Sequence, residues 1–101
     1  MTIMISGKNF DLTEAIKSHV ESAVRSRFDP YEGIIDKVDV VCEAYHDPRG
    51  GQPQAIVHIS VAVPGPVIVA EKAGDDLYEL VNVVCGVAFD QFNKRKEKGE
   101  I

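Results

Sequence analysis

Four cations crowd into five positions near the end of the chain: Lys94, Arg95, Lys96 and Lys98 in "QFNKRKEKGEI". Lys and Arg at that density donate charge-assisted hydrogen bonds to phosphate oxygens, so the chemistry they suit is gripping a polyanion rather than making or breaking bonds. The same residues have a plainer use, because positive charge at a helix C-terminus complements the helix dipole and keeps an exposed end soluble. The other chemically capable side chains are scattered. No paired carboxylates, Ser/His/Asp set, phosphate loop or closely spaced metal ligands can be assembled from the motifs. His19, His46 and His58 are isolated from one another; with Cys42 they could meet in space, but their spacing fits no metal motif, and no metal or cofactor is expected. Ser6-Gly7-Lys8 lacks the remainder of a phosphate loop and reads as a turn. The chain offers no catalytic engine and is expected not to be an enzyme.

The cluster stands out because its surroundings are acidic. The 101 residues carry a formal charge of -5, and those up to Asn93 hold seven basic against fourteen acidic side chains. Such a balance excludes a general nucleic-acid binder, which needs an excess of Lys and Arg over much of its surface. With 45% hydrophobic and 27% charged residues, the chain fits a single domain, 1–101, with one modest core. Cys42 and Cys85 each sit inside an apolar run and read as buried thiols of a reducing compartment, so a cytoplasmic location is expected. The start, "MTIMISGKNF", has no basic region followed by an apolar stretch, and no run approaches the ~18 apolar residues that cross a bilayer. No membrane or DNA partner is expected.

Periodicity supplies the elements that must position the cluster. Residues 2–6 alternate around Ile3 and Ile5 as a short strand that stops at Ser6-Gly7. Thr13 offers a hydroxyl cap to a helix whose apolar positions are Ile16, Val20, Ala23, Val24 and Phe28, with Lys17, Glu21 and Arg25 spaced for pairing on another face. Pro30 and Gly33 break it. Residues 34–46 alternate with Val38, Val40, Cys42 and Ala44 on one face; the turn-rich "HDPRGGQP" presents Arg49 at a tip; and a strand with Ala55, Val57, Ile59, Val61 and Val63 inward follows. Pro64-Gly65-Pro66 reverses the chain into a last strand, "VIVAEK", completing an antiparallel meander. Asp75 or Asp76 then caps a second helix, Asp76 with Glu79 as a capping box, running to about residue 97. Its stripe is Leu77, Val81, Val84, Ala88 and Phe92, and its Tyr and Phe residues read as core. At ~1.5 Å per residue that helix is about 33 Å long, so its last turns are expected to overhang the sheet and carry the basic cluster with them. The order predicts an α+β, two-layer βαβββα fold, with two helices on one face of a four-stranded, mostly antiparallel sheet.

Two stretches, "ISGKNFDLTEAIKSHVE" and "AEKAGDDLYELVN" with its sequel "FDQFNKRK", resemble the ribosome hibernation promoting factor family, also called ribosome-associated inhibitor or sigma-54 modulation proteins. The matching features are "LTEAI" after the first strand and turn, the Asp76-Leu77-Tyr78 entry to the second helix, and Gln91-Phe92-Asn93-Lys94 one helix length on. The resemblance implies the same βαβββα fold. It also implies binding to the small ribosomal subunit and its rRNA in the mRNA/tRNA channel, with translation inhibited by occupancy and without turnover. The length corresponds to the short form of that family. Carried over by position, Lys17 and Arg25 of the first helix and Lys94, Arg95, Lys96 and Lys98 of the second would meet ribosomal RNA phosphates, with Lys8 and Arg49 as further candidates.

Three departures accompany the resemblance. Val87 and Asp90 stand where relatives usually place Lys or Arg on the second helix, and Ala23 where a basic residue is frequent on the first. Fewer phosphate contacts would weaken RNA affinity and flatten its salt dependence. Leu80, Val83 and Val87 instead form an apolar flank, so an alternative is a diverged paralogue that keeps the fold and uses this flank for protein contact or homodimerisation, without ribosome binding.

Overall fold

The computed structural model describes residues 1–45, 49–50 and 54–101; His46 and most of the "HDPRGGQP" connection lie outside the described residues. The elements are β1 (Thr2–Lys8), α1 (Glu14–Phe28), a 3-10 turn (Asp29–Tyr31), β2 (Lys37–Tyr45), β3 (Gln54–Ala62), β4 (Ile68–Gly74) and α2 (Leu77–Glu97). Thr13 Oγ1 accepts from the Ile16 N–H at 3.2 Å, and an Asp76 carboxylate oxygen from the Glu79 N–H at 3.2 Å, so both expected caps form. The second helix ends where Gly99 adopts φ 74°, while the Gly99 and Glu100 N–H groups return to the Lys96 and Arg95 carbonyls. That is a Schellman closure, in which a left-handed glycine satisfies carbonyls the helix leaves open.

The four strands lie in the order β1-β2-β3-β4. β2, β3 and β4 are antiparallel neighbours, and β1 runs parallel to β2 with Ile3 beside Val38 and Ile5 beside Val40. The parallel pair follows from α1, which carries the chain back along the sheet before β2 begins. Alternation sends Val38, Val40 and Cys42, then Val57, Ile59 and Val61, then Ile68 and Ala70 beneath the helices, against Val20, Val24, Phe28, Val81, Val84, Ala88 and Phe92. Among the described residues, no helix covers the opposite sheet face. There the ion pairs Lys8–Glu43, Lys37–Asp39 and His58–Glu71 lie among exposed Met4 and Val69.

Contacts between the helices advance together along both. His19 Nε2 lies 3.0 Å from the Tyr78 carbonyl oxygen, Arg27 donates to the Asn82 carbonyl oxygen at 3.3 Å, Phe28 meets Phe89 and Phe92, and Tyr31 meets Phe92 and Lys96. The helices therefore run parallel, and both C-termini come out at the same end of the sheet, beside the Pro64–Pro66 turn. Side by side, two helix ends of like partial charge call for cations.

One expectation gains a detail. The last turns of α2 run past the start of β4, but they are tethered: Gln91 Nε2 donates to the Val69 carbonyl oxygen, Arg95 Nη1 to that of Pro66 in the preceding turn, and Ile101 folds back half-buried against the core. A helix tied to the start of β4 and to the turn before it holds its basic residues on the body of the fold.

Candidate nucleic-acid interface

The eight candidate cations do not form one surface. Lys17 and Arg25 lie two residues before His19 and Arg27, the α1 residues that touch α2, which places them about 160° away around the helix. They line its outer flank, where Lys17 Nζ is 3.7 Å from Glu14 and Arg25 is bridged by Glu21 at 3.1 Å and Asp29 at 3.3 Å. The hydrogen bond that Arg25 donates to Glu21, with the Asp29 and Glu21 charges, holds the Arg25 guanidinium above its ordinary pKa, partly offset by desolvation. With Glu14, Glu21 and Asp29 interleaved, this flank carries no positive excess. Lys8 stands on the helix-free face of the sheet, 3.9 Å from Glu43. Arg49 is exposed beyond the Tyr45 end of β2, at the other end of the sheet from the Pro64–Pro66 turn, about 25 Å away along strands of this length.

The α2 cluster is different. Its four cations surround one helix end: Arg95 is fixed on the Pro66 carbonyl, Lys96 Nζ sits 4.0 Å over the Tyr31 ring, and Lys94 and Lys98 point to solvent. Carbonyl and ring are neutral partners, so they fix the positions of two charges without cancelling them. Among the described residues, every ion pair within 4.0 Å lies elsewhere. The cluster sits where two helix dipoles present their negative ends, which stabilises it in the free protein. Two cations held in place and two free to swing make a surface that can accept several phosphates without first breaking ion pairs.

Among the described residues no group of three or more His, Cys, Asp or Glu side chains is placed to hold a metal. His19 is engaged with Tyr78 and His58 with Glu71. Burial pushes the Cys85 thiol up to about 11, partly offset by the Arg27 charge, and burial also raises Cys42, so both are neutral thiols near pH 7. No helix among the described residues is long and apolar enough to cross a membrane.

The three departures and the apolar flank fall into two groups. Ala23 is buried against the core, and its carbonyl oxygen accepts from Ser26 and Arg27. Asp90 is exposed and Val87 half-buried. Leu80 is buried, so the flank expected from Leu80, Val83 and Val87 is reduced to exposed Val83 beside half-buried Val87. Two residues that matter were missed in the sequence. Arg27 clamps α1 to α2, and its signal was a cation lying inside the apolar stripe of α1. Tyr31, which holds Lys96, left no signal, because the pair is distant in sequence and meets only in the fold.

The chain matches the family model described as "Sigma 54 modulation protein / S30EA ribosomal protein" over residues 3–100. It is 29% identical over 98 residues to a protein named ribosome hibernation promotion factor from Picosynechococcus sp., covering 97% of this chain and 50% of that one. It is 30% identical over 94 residues to a protein of the same name from Deinococcus radiodurans, covering 93% and 48%. The chain thus spans about half the length of these curated relatives. Among solved structures, a ribosomal subunit interface protein from Coxiella burnetii superposes with a TM-score of 0.79 at 24% identity, covering 96% of this chain and 99% of that one. The N-terminal domain of Protein Y from Thermus thermophilus gives 0.73 at 26% identity, covering 90% and 94%.

Proposed function

The chain belongs to the Sigma 54 modulation protein / S30EA ribosomal protein family, and on that premise we propose that it is a non-catalytic, cytoplasmic ribosome-binding factor. It docks on the small subunit in the mRNA/tRNA channel and blocks translation by occupancy. The observation that carries the proposal is the basic end of α2, where Lys94, Arg95, Lys96 and Lys98 outnumber Glu97 and Glu100 and, among the described residues, make no ion pair within 4.0 Å, on an otherwise acidic body. Phosphates of folded ribosomal RNA are the natural complement, selected by shape more than by base sequence. The α1 outer flank contributes little, because its cations already face carboxylates.

Sedimentation with purified small subunits tests this. Co-migration at low salt that raised salt removes is the expected result. A chain that stays at the top of the gradient as a stable dimer would favour the alternative, protein contact through the Val83 and Val87 side of α2.

A further inference from the structure

The outer edge of β4 is only partly closed, and its open part lies beside a groove. The Asp36 N–H donates to the Ala62 carbonyl oxygen, so even-numbered β3 residues bond toward β2 and odd-numbered ones toward β4. The register then commits Ile68, Ala70, Lys72 and Gly74 to β3 and turns the backbone groups of Val69, Glu71 and Ala73 outward. Gln91 caps the Val69 carbonyl, and Arg95 that of Pro66 just before the strand. Among the described residues, no hydrogen bond reaches the outward groups of Glu71 or Ala73. Against this end of the edge lies a groove of about 280 Å³, with Leu80 and Val83 as its apolar floor and Lys72, Asp75, Asp76 and Glu79 giving it a net negative rim.

We propose that this edge is a docking site for an extended, cationic peptide segment of another protein, added to the sheet as a short fifth strand beside Glu71 and Ala73. Pairing there satisfies open backbone donors and acceptors, and strand periodicity sets the sequence of the occupant. Alternate side chains fall on the Leu80/Val83 floor and should be apolar. Those between them turn to the Glu71 side of the sheet and should be basic, while a basic residue at the end of the segment on the groove side would meet the Asp75 and Glu79 rim. A second copy of the chain is disfavoured, because β4 against β4 would bring two acidic rims together. The closed Val69–Pro66 portion limits the added strand to the Glu71–Ala73 end.

The probe is an acetylated, amidated Lys-Val-Lys-Val-Lys-Val-Lys peptide titrated into the 15N-labelled chain; no ribosome enters the test, so its outcome is independent of ribosome docking. Amide shifts should concentrate at Glu71, Ala73, Leu80 and Val83, with slowed hydrogen exchange at Glu71 and Ala73, and the Glu-Val counterpart should not bind. Ala73→Pro removes an outward N–H at an edge position that tolerates proline, and should weaken the peptide about tenfold or more. Val83→Lys, an exposed change, should do the same if Ala73→Pro fails to fold. Shifts centred on another face, binding undiminished in the folded variants, or self-association of the chain in place of peptide binding would each overturn the proposal.

Discussion

The salt dependence of small-subunit binding separates the α2 cluster from the wider set of candidate cations. Neutralising Z phosphates releases counterions and gives a slope of log affinity against log salt of about -0.7Z to -0.9Z. With four phosphates engaged, by Lys94, Arg95, Lys96 and Lys98, the slope should be about -2.8 to -3.6, a loss of roughly 50- to 150-fold between 50 and 200 mM salt. Were Lys8, Lys17, Arg25 and Arg49 also engaged, the slope would be about -6 to -7 and the loss roughly 2,000- to 20,000-fold. Lys94→Gln with Lys98→Gln removes the two solvent-directed cations without touching the Arg95–Pro66 or Lys96–Tyr31 contacts. Its slope should fall to about -1.4 to -1.8. The assay is equilibrium binding of labelled protein to purified small subunits over a salt series. A wild-type slope near -6, or a double variant with an unchanged slope, would refute the assignment.

Three further outcomes follow from the same geometry. Lys17→Gln with Arg25→Gln should change small-subunit affinity by less than about threefold at 100 mM salt, measured in the same assay, because these cations already face carboxylates on the outer flank of α1 and exposed pairs return little when broken. Thr13→Ala and Asp76→Ala should each cost about 1 kcal/mol in urea unfolding while leaving binding intact once folded, since each deletes one cap acceptor. Because burial raises Cys85 from 9.0 to about 11, the folded state keeps the proton while the unfolded state loses it above pH 9. That contribution is therefore full below pH 9 and disappears as pH rises toward 11, a decline of roughly 2–3 kcal/mol that Cys85→Ala should abolish in unfolding titrations.

Most of the architecture was legible before the fold was seen, for physical reasons that act over short distances. Strict alternation marked the inward faces of β2 and β3, and the hydroxyl of Thr13 and carboxylate of Asp76 marked the helix starts. The site was legible only in part. Periodicity separates the buried stripe of α1 from its solvent side, but it does not say which flank will meet a second helix. Lys17 and Arg25 were grouped with the α2 cations by position, through the family resemblance, and the contacts of His19 and Arg27 with α2 place them on the other flank of α1. Nor does local sequence predict that α1 and α2 run parallel and bring both C-termini to one end, or that Pro66 and Tyr31 will anchor Arg95 and Lys96. Long-range contacts tether the expected overhang to the body of the fold.

Lysine acetylation footprinting of the free and subunit-bound protein tests the central claim most directly, because it reads which ammonium groups become covered. Lys94, Lys96 and Lys98 should be protected by the small subunit, while Lys8 and Lys17 react at the rates of the free chain. Protection of Lys8 and Lys17 with Lys94 and Lys98 left reactive would contradict docking through the end of α2.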